Sequence, residues 1–342
     1  MTVGKHRVYI PDLHITKKRY MECESVLQQI TDYIEQHYSR ERLRIVFLGD
    51  IFDSPHVGDE ATELFFRYVS QWAQKHHIVI ILGNHDPNKE GADKFALLRY
   101  ISQENICIVR DFKAFKFGDM NELFLAYKAG RPADFFKPDK MKQFDVVAGH
   151  FSINRFLPSD IGNLPVDVTQ GPWYIAGHLH TPAQDHNLIH PGSCIGMAFD
   201  EGEMSTRHFL TGTMTAAGHF QISKVPLKTK EMIIVEITDA TNLDILAEFN
   251  ENYNVKIRLK VPVALPVLKS LERQYNFNLL KIDHDYANLH KIKEEEKELG
   301  RNFSFEGTVA KHYELNEHLS KILSEKEFFH HVNDLVQSQG ME

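Results

Sequence analysis

The chain of 342 residues is 42% hydrophobic and 25% charged, proportions ordinary for a soluble globular protein, and its length predicts two or three domains. Its net charge of −8 counts against a free-standing, high-affinity binder of nucleic acid. No apolar run reaches the roughly 18–20 residues of a membrane span, the start lacks a signal-type apolar core, and Cys23, Cys107 and Cys194 form no C-x-x-C pattern, so a cytoplasmic protein with reduced thiols is expected.

In chain order, Val8-Tyr9-Ile10 reads as a buried strand and leads into Asp12-Leu13-His14. Behind a basic Lys17-Lys18-Arg19, the residues Val26, Leu27, Ile30, Tyr33 and Ile34 recur at helical spacing. Ile45 to Leu48 is a second strand, closed by Gly49-Asp50-Ile51-Phe52-Asp53. Ala61, Leu64, Phe65, Tyr68, Val69 and Trp72 mark a second helix. Ile78 to Leu82 runs into Gly83-Asn84-His85-Asp86, and Val146 to Ala148 into Gly149-His150. Tyr174 to Ala176 runs into Gly177-His178-Leu179-His180. Strands alternating with helices predict a layered α/β core. Five runs that each end in metal-type ligands predict one crevice at the ends of neighbouring strands, and the glycine before four of the five sets permits close backbone approach. Arg207 to Met214 and His219 to Val225, joined by Ala216-Ala217-Gly218, read as a hairpin that closes the sheet of a first domain spanning 1–225.

Asp12, His14, Asp50, Asn84, His150, His178 and His180 make a nitrogen-and-oxygen set without thiolate, suited to manganese, iron or zinc and unlike a cysteine-closed structural zinc. Seven ligands are too many for one ion that keeps a position open for water. With one carboxylate shared, they suit two ions about 3.5–4 Å apart. Most other histidines are expected to face solvent, and neither His76-His77 nor His330-His331 has a partner at ligand spacing.

The ordered pattern D-x-H, GD-x-x-D, GNHD, GH and GHLH resembles the calcineurin-like metallophosphoesterase superfamily, which implies a β-sandwich flanked by helices. His190-Pro191-Gly192-Ser193 and the acidic Phe199-Asp200-Glu201 that follow are similar to the SbcD-type DNA double-strand-break nucleases, short bacteriophage forms included. His190 departs from the aromatic residue more common in that family. The resemblance implies that Asp12, His14, Asp50 and His180 bind one ion and that Asp50, Asn84, His150 and His178 bind the other, with Asp50 bridging. It implies that His85 acts on the scissile phosphate instead of binding metal. Asp53 is the candidate orienter of His85, and Asp86 competes for that role. The cofactors implied are two divalent ions, manganese first and magnesium second. Ser54-Pro55 stands where protein phosphatases of the superfamily carry Arg-Gly.

Residues 226–285 read strand, helix, strand, helix, strand. The strands are Met232–Ile237, Val255–Val261 and Asn278–Ile282, and the helices Leu243–Phe249 and Leu265–Tyr275. This small α/β module is similar in position to the SbcD capping domain. Residues 286–310 form a charged linker. In 311–342, apolar stripes on two short helices (Leu319/Ile322/Leu323, then Phe328/Phe329/Val332/Leu335) predict a partner-binding segment. The resemblance makes that partner an SbcC-type coiled-coil ATPase, held through 311–338, with DNA as substrate and a homodimer left open. Basic Lys137, Lys140 and Lys142 are further candidates for the DNA-facing surface. The expected activity is double-strand exonuclease and single-strand or hairpin endonuclease. Its rivals are a nucleotide or cyclic-nucleotide phosphodiesterase of the same superfamily and a scaffold that keeps the fold without metals.

Overall fold

The computed structural model describes residues 3–86, 95, 98, 104–118, 120–127, 138–158, 163–197, 199 and 206–284. The chain divides into two compact units, the first ending at Thr229 and the second beginning at Lys230. The linker over 286–310, the helices of 311–342 and His330-His331 lie outside the described residues, as do Lys137, Asp200 and Glu201.

The first unit opens with β1 (Val3–Ile10), α1 (Tyr20–Tyr38), β2 (Arg42–Phe47), α2 (Asp59–Ala73), β3 (His77–Ile81) and β4 (Ile106–Val109). It continues through β5 (Phe112–Phe117), β6 (Met120–Leu125), the single turn α3 (Pro138–Met141), β7 (Val146–His150), β8 (Trp173–Gly177), β9 (Ala183–Asp185) and β10 (Leu188–His190). The hairpin β11 (His208–Met214) and β12 (Phe220–Pro226) closes the unit. The strands form two six-stranded sheets, ordered β12-β11-β1-β2-β3-β4 and β5-β6-β7-β8-β10-β9. The five ligand-bearing runs are therefore not neighbours in one sheet. β1, β2 and β3 lie parallel in the first sheet, and β7 and β8 lie parallel in the second.

Burial explains why these strands read as unbroken apolar runs. Val8, Tyr9, Ile45, Val46 and Ile80 are fully buried, because the first sheet is covered on both faces. On one face, Phe65 and Trp72 of α2 pack their rings against Phe47. On the other, Phe124, Val146, Ala148 and Ile175 of the second sheet join the same core. The outer face of the second sheet carries its own cluster, with Val147, Tyr174 and Phe151 buried against Met141 and Leu164.

Between the sheets lies a charged triad. Glu122 of β6 accepts from Arg7 Nε at 2.9 Å and pairs with Arg44 of β2. The Arg44 guanidinium sits 4.0 Å from the Phe117 ring centroid. A buried pair is costly to form and costlier to break, because the surviving charge keeps its desolvation without its partner. Glu122→Gln is expected to lose about 3–5 kcal/mol in urea unfolding. A loss below about 1 kcal/mol would mean that the arginines find other anions.

His76 is one exception to the expected solvent-facing histidines. It is buried, and its Nδ1 accepts from the Leu43 N–H at 3.2 Å. Burial, with Lys75 and Arg42 nearby, pushes its pKa down to about 4. The unfolded chain thus takes the proton first as pH falls. His76 contributes fully to stability above its unfolded pKa of about 6.5, and that contribution drains away between there and about 4. His76→Gln keeps an acceptor for Leu43. Its unfolding free energy should gain on wild type as pH falls through that window, by at most about 1.4 kcal/mol per pH unit. Parallel pH profiles would refute this.

The second unit has three parallel strands in the order β13 (Glu231–Ile237), β14 (Tyr253–Leu259) and β15 (Asn278–His284), with α4 (Leu265–Tyr275) between the last two. Pro266 occupies the first turn of α4, and Asn276 at φ 58° ends it in the left-handed conformation. Val267, Leu268 and Leu271 of α4 are buried with Val255, Ile257 and Leu259 of β14. The helix expected at Leu243–Phe249 is instead a 3₁₀ segment, Asp244–Glu248. Its five residues are too few to offset α-helix nucleation. Within it, Leu246 is buried in the core.

Candidate metal centre

The loops beyond the strand ends are sewn together by backbone. Leu48 N–H donates to Ile10 O at 2.9 Å, His14 N–H to Asp50 O at 3.0 Å and Ile15 N–H to Ile51 O at 2.8 Å. These bonds bring the β1 and β2 loops side by side. In the same rim, His14, Asp50 and His178 have φ of 44°, 47° and 79°. A left-handed conformation costs a non-glycine residue about 1–3 kcal/mol, and such strain gathers at functional sites. Gly49, at φ 98°, sits where any Cβ would overlap the His150 imidazole, and a Cβ on Gly83 would overlap Asp50.

Two clusters result. Ligand atoms of Asp12, His14, Asp50 and His180 lie within 4.8 Å of one another, as do those of Asp50, His150 and His178. Asp50 belongs to both. Asn84 joins the second group, its Oδ1 lying 2.9 Å from His150 Nε2 and 3.1 Å from His178 Nδ1. The structure thus brings all seven candidate ligands together. Asp12, His14, Asp50 and His150 are buried, whereas Asn84 is exposed.

The donor set fits cations. His14 Nε2 and His180 Nε2 face each other at 3.1 Å, and Asp12 Oδ2 is a buried oxygen without a hydrogen-bond partner. A cation between these atoms would satisfy all three. The remaining atoms hold the ligands in place. Asp12 Oδ1 accepts the His178 N–H at 2.9 Å, and His150 Nδ1–H donates to Leu48 O at 2.8 Å, leaving its Nε2 to the cluster.

Charges follow the geometry. Burial raises the Asp12 carboxyl above the usual range, while Asp50, against the same burial, is held well below it by His150 and His14. His150, against burial, is held up to about 9 by Asp50 and then Asp12.

The two candidate orienters of His85 are placed differently from expectation. His85 Nδ1–H donates to the backbone carbonyl of Asp53 at 2.7 Å. The Asp53 carboxylate faces His14 Nδ1 at 3.4 Å, and that contact holds its pKa low. Asp86 does not touch the ring. It is buried, its Oδ1 accepting from Ile51 N–H at 3.0 Å and Phe52 N–H at 3.2 Å and its Oδ2 from Gly83 N–H at 2.8 Å. Asp86 therefore ties the Asp50 loop to the Asn84-His85 loop. Burial and the Asp50 charge push its carboxyl up to about 7.

Three further side chains serve the rim, none of them a predicted site residue. Arg207 donates to His180 O at 3.1 Å and to Ser193 Oγ at 3.1 Å. Arg19, from the basic Lys17-Lys18-Arg19 run, is buried, pairs with Glu22 at 2.8 Å and donates to Gly196 O. Tyr127, just past β6, places its ring 5.4 Å from that of His178. Only Arg19 carried a signal, since an Arg-x-x-Glu pair at the start of a helix can satisfy itself internally. His190 is buried, and its Nδ1–H donates to Gly177 O at 3.2 Å. It braces the last ligand turn.

The carboxyl ends of two sheets thus converge on a paired metal-type cluster, the arrangement of a two-metal hydrolytic centre. The family model for calcineurin-like phosphoesterases matches residues 8–182, just over half of the chain, and the chain belongs to that family. No curated protein is similar enough to match it. Among solved structures, the chain is similar to a protein of unknown function from Aquifex aeolicus, at 16% identity and a TM-score of 0.25. That likeness covers 43% of this chain and 80% of the other. It is too slight to bear on fold or activity. Among the described residues, no helix is long and apolar enough to cross a membrane.

Proposed function

We propose that the protein is a DNA nuclease subunit that hydrolyses phosphodiesters at this centre. It would act as a double-strand exonuclease and a single-strand or hairpin endonuclease, working with an SbcC-type ATPase in the processing of DNA ends. The observation that carries the chemistry is the pair of clusters sharing Asp50, with His85 beside them and in neither. Asp12, His14, Asp50 and His180 would hold one ion, and Asp50, Asn84, His150 and His178 the other. Two divalent ions, manganese first and magnesium second, would supply charge for the phosphoryl oxygens and lower the pKa of a water.

The chain's own residues do the rest. The Asp53 carbonyl accepts a hydrogen bond from His85 Nδ1–H and so fixes its tautomer, leaving Nε2 for the phosphate or the leaving oxygen. Asp86 keeps the His85 loop in register with the bridging carboxylate. The Pro191-Gly192-Ser193 segment supports the nuclease branch of the family, and Ser54-Pro55 speaks against a protein phosphatase. The apolar stripes within 311–338 support the ATPase partner.

The test supplies manganese, magnesium or zinc with DNA labelled at either end, beside bis-p-nitrophenyl phosphate, with and without an SbcC-type ATPase from the same genome. Manganese-dependent cleavage of DNA is expected. Hydrolysis of the small ester with intact DNA would replace this reading by a small-substrate phosphodiesterase.

A further inference from the structure

Beyond the ends of β1 and β2, the two ligand loops run on as a short ladder of backbone bonds. His14 N–H donates to Asp50 O, Ile15 N–H to Ile51 O, and Asp53 N–H back to Ile15 O at 3.4 Å, with Ile15 and Phe52 paired as an isolated parallel bridge. The ladder sets Asp53 beside His14, and from there one residue reaches two histidines by different atoms. Its carbonyl accepts from His85 Nδ1–H at 2.7 Å, and its Oδ1 lies 3.4 Å from His14 Nδ1. The two imidazoles meet edge to face, with centroids 5.0 Å apart.

The two nitrogens of His14 have different surroundings. Nε2 faces His180 Nε2 at 3.1 Å and Asp50 Oδ2 at 3.7 Å, among the atoms of the first cluster. A cation there takes the Nε2 lone pair and leaves the ring proton on Nδ1. Nδ1 is buried and hydrogen-bonded to no group among the described residues, in a side chain that is 1% exposed. A buried N–H without an acceptor is rare and costly. Asp53 Oδ1 is the acceptor that faces it, on a side chain 47% exposed and so able to close the gap by a small rotation. His150 meets the same need through a neutral group, donating from Nδ1–H to the Leu48 carbonyl at 2.8 Å. A carboxylate in that place also raises the donor strength of the imidazole toward a cation. His85 has no such need of it, because its Nδ1–H already goes to the Asp53 carbonyl.

We propose that the Asp53 carboxylate positions the metal ligand His14, completing a carboxylate–imidazole–cation relay in the first cluster, and that it does not position His85. Asp53 then divides its work, with its backbone on the phosphate-facing histidine and its side chain on the metal-facing one. The inference rests on the two-ion reading of the centre and is independent of which phosphodiester is cut. It also makes the two clusters unequal. His14 in the first is backed by an anion, whereas His150 in the second is backed by a neutral carbonyl. Loss of the Asp53 side chain should therefore fall on one ion and spare the other.

The test is calorimetric titration of manganese into the full, metal-free chain, wild type beside Asp53→Ala and Asp53→Asn. Wild type should take up two ions. In Asp53→Ala one of the two should bind about 10–100-fold more weakly, the range for losing an outer partner of a ligand, while the other keeps its affinity. Asp53→Asn keeps an oxygen for Nδ1–H without the charge, so its loss should be smaller, and it carries the test if Asp53→Ala folds poorly. Turnover of bis-p-nitrophenyl phosphate at saturating manganese is read alongside, and should fall less in Asp53→Ala than in His85→Ala. Wild-type affinity for both ions in both variants overturns the inference and leaves the two-ion centre standing. Unchanged affinities with a loss of turnover as deep as that of His85→Ala overturn it too, and return the carboxylate to His85. Equal weakening of both ions also overturns it, making Asp53 a prop of the whole rim. Wild type that binds no manganese removes the metal centre itself, and the inference with it.

Discussion

Asp50→Asn is expected to abolish metal-dependent hydrolysis and to lower manganese stoichiometry in the same step, with the fold intact. Asp50 is common to both clusters. Its Oδ2 lies 3.3 Å from His150 Nε2 and 3.7 Å from His14 Nε2, while Oδ1 accepts the His85 N–H at 2.9 Å. Asparagine is nearly isosteric and keeps an oxygen for His85, so the backbone strain at this position has no new cause. What disappears is the negative charge offered to two cations at once. Loss of a shared anionic ligand should cost at least as much as loss of an outer-sphere partner, about 10–100-fold in metal affinity, and should remove turnover with it. The check is elemental analysis of the dialysed protein beside steady-state hydrolysis of bis-p-nitrophenyl phosphate. Wild-type activity in Asp50→Asn would overturn the assignment of two ions sharing this carboxylate.

The difference between what was legible in the chain and what was not follows from the range of each interaction. The metal-type residues were legible because each stands immediately past a buried apolar run, so local pattern alone places it at a strand end. The Asn84 and His150 contact, across 66 residues, then needed only the order of the motifs. Left-handed backbone at His14, Asp50 and His178 was not legible, because these residues show no glycine-like signature. It is imposed by loops bonded to each other across the rim. That Asp53 meets His85 through its backbone carbonyl, with its carboxylate turned to His14, was not legible for a related reason. A carbonyl carries no residue identity, and the backbone path at Asp53, beside the Ile15 and Phe52 bridge, is set by contacts distant in sequence. Arg7 and Glu122 lie 115 residues apart on polar positions of strands that end up facing each other. Phe112–Phe117 alternates only weakly between exposed and buried. It therefore lacked the apolar run that marked the other strands, and the second sheet's edge went unread.

His85→Ala is expected to keep both metal sites and to lower turnover by about 10²–10⁴, the contribution usual for a positioned acid or base. His85 belongs to neither cluster, and its ring is held by the 2.7 Å bond from Nδ1 to the Asp53 carbonyl. That bond spends Nδ1 on orientation, so the chemistry must come from Nε2. Two consequences separate this role from a ligand's. Manganese stoichiometry in His85→Ala should equal that of wild type. The loss should also depend on the leaving group. A p-nitrophenolate departs without a proton, whereas a sugar oxygen needs one, so a residue that protonates the leaving oxygen should be missed far more on DNA than on bis-p-nitrophenyl phosphate. Equal losses on the two substrates would reassign His85 from proton donor to stabiliser of charge on the phosphoryl oxygens. A fall in bound manganese as steep as the fall in rate would make it a ligand and leave the centre without its acid.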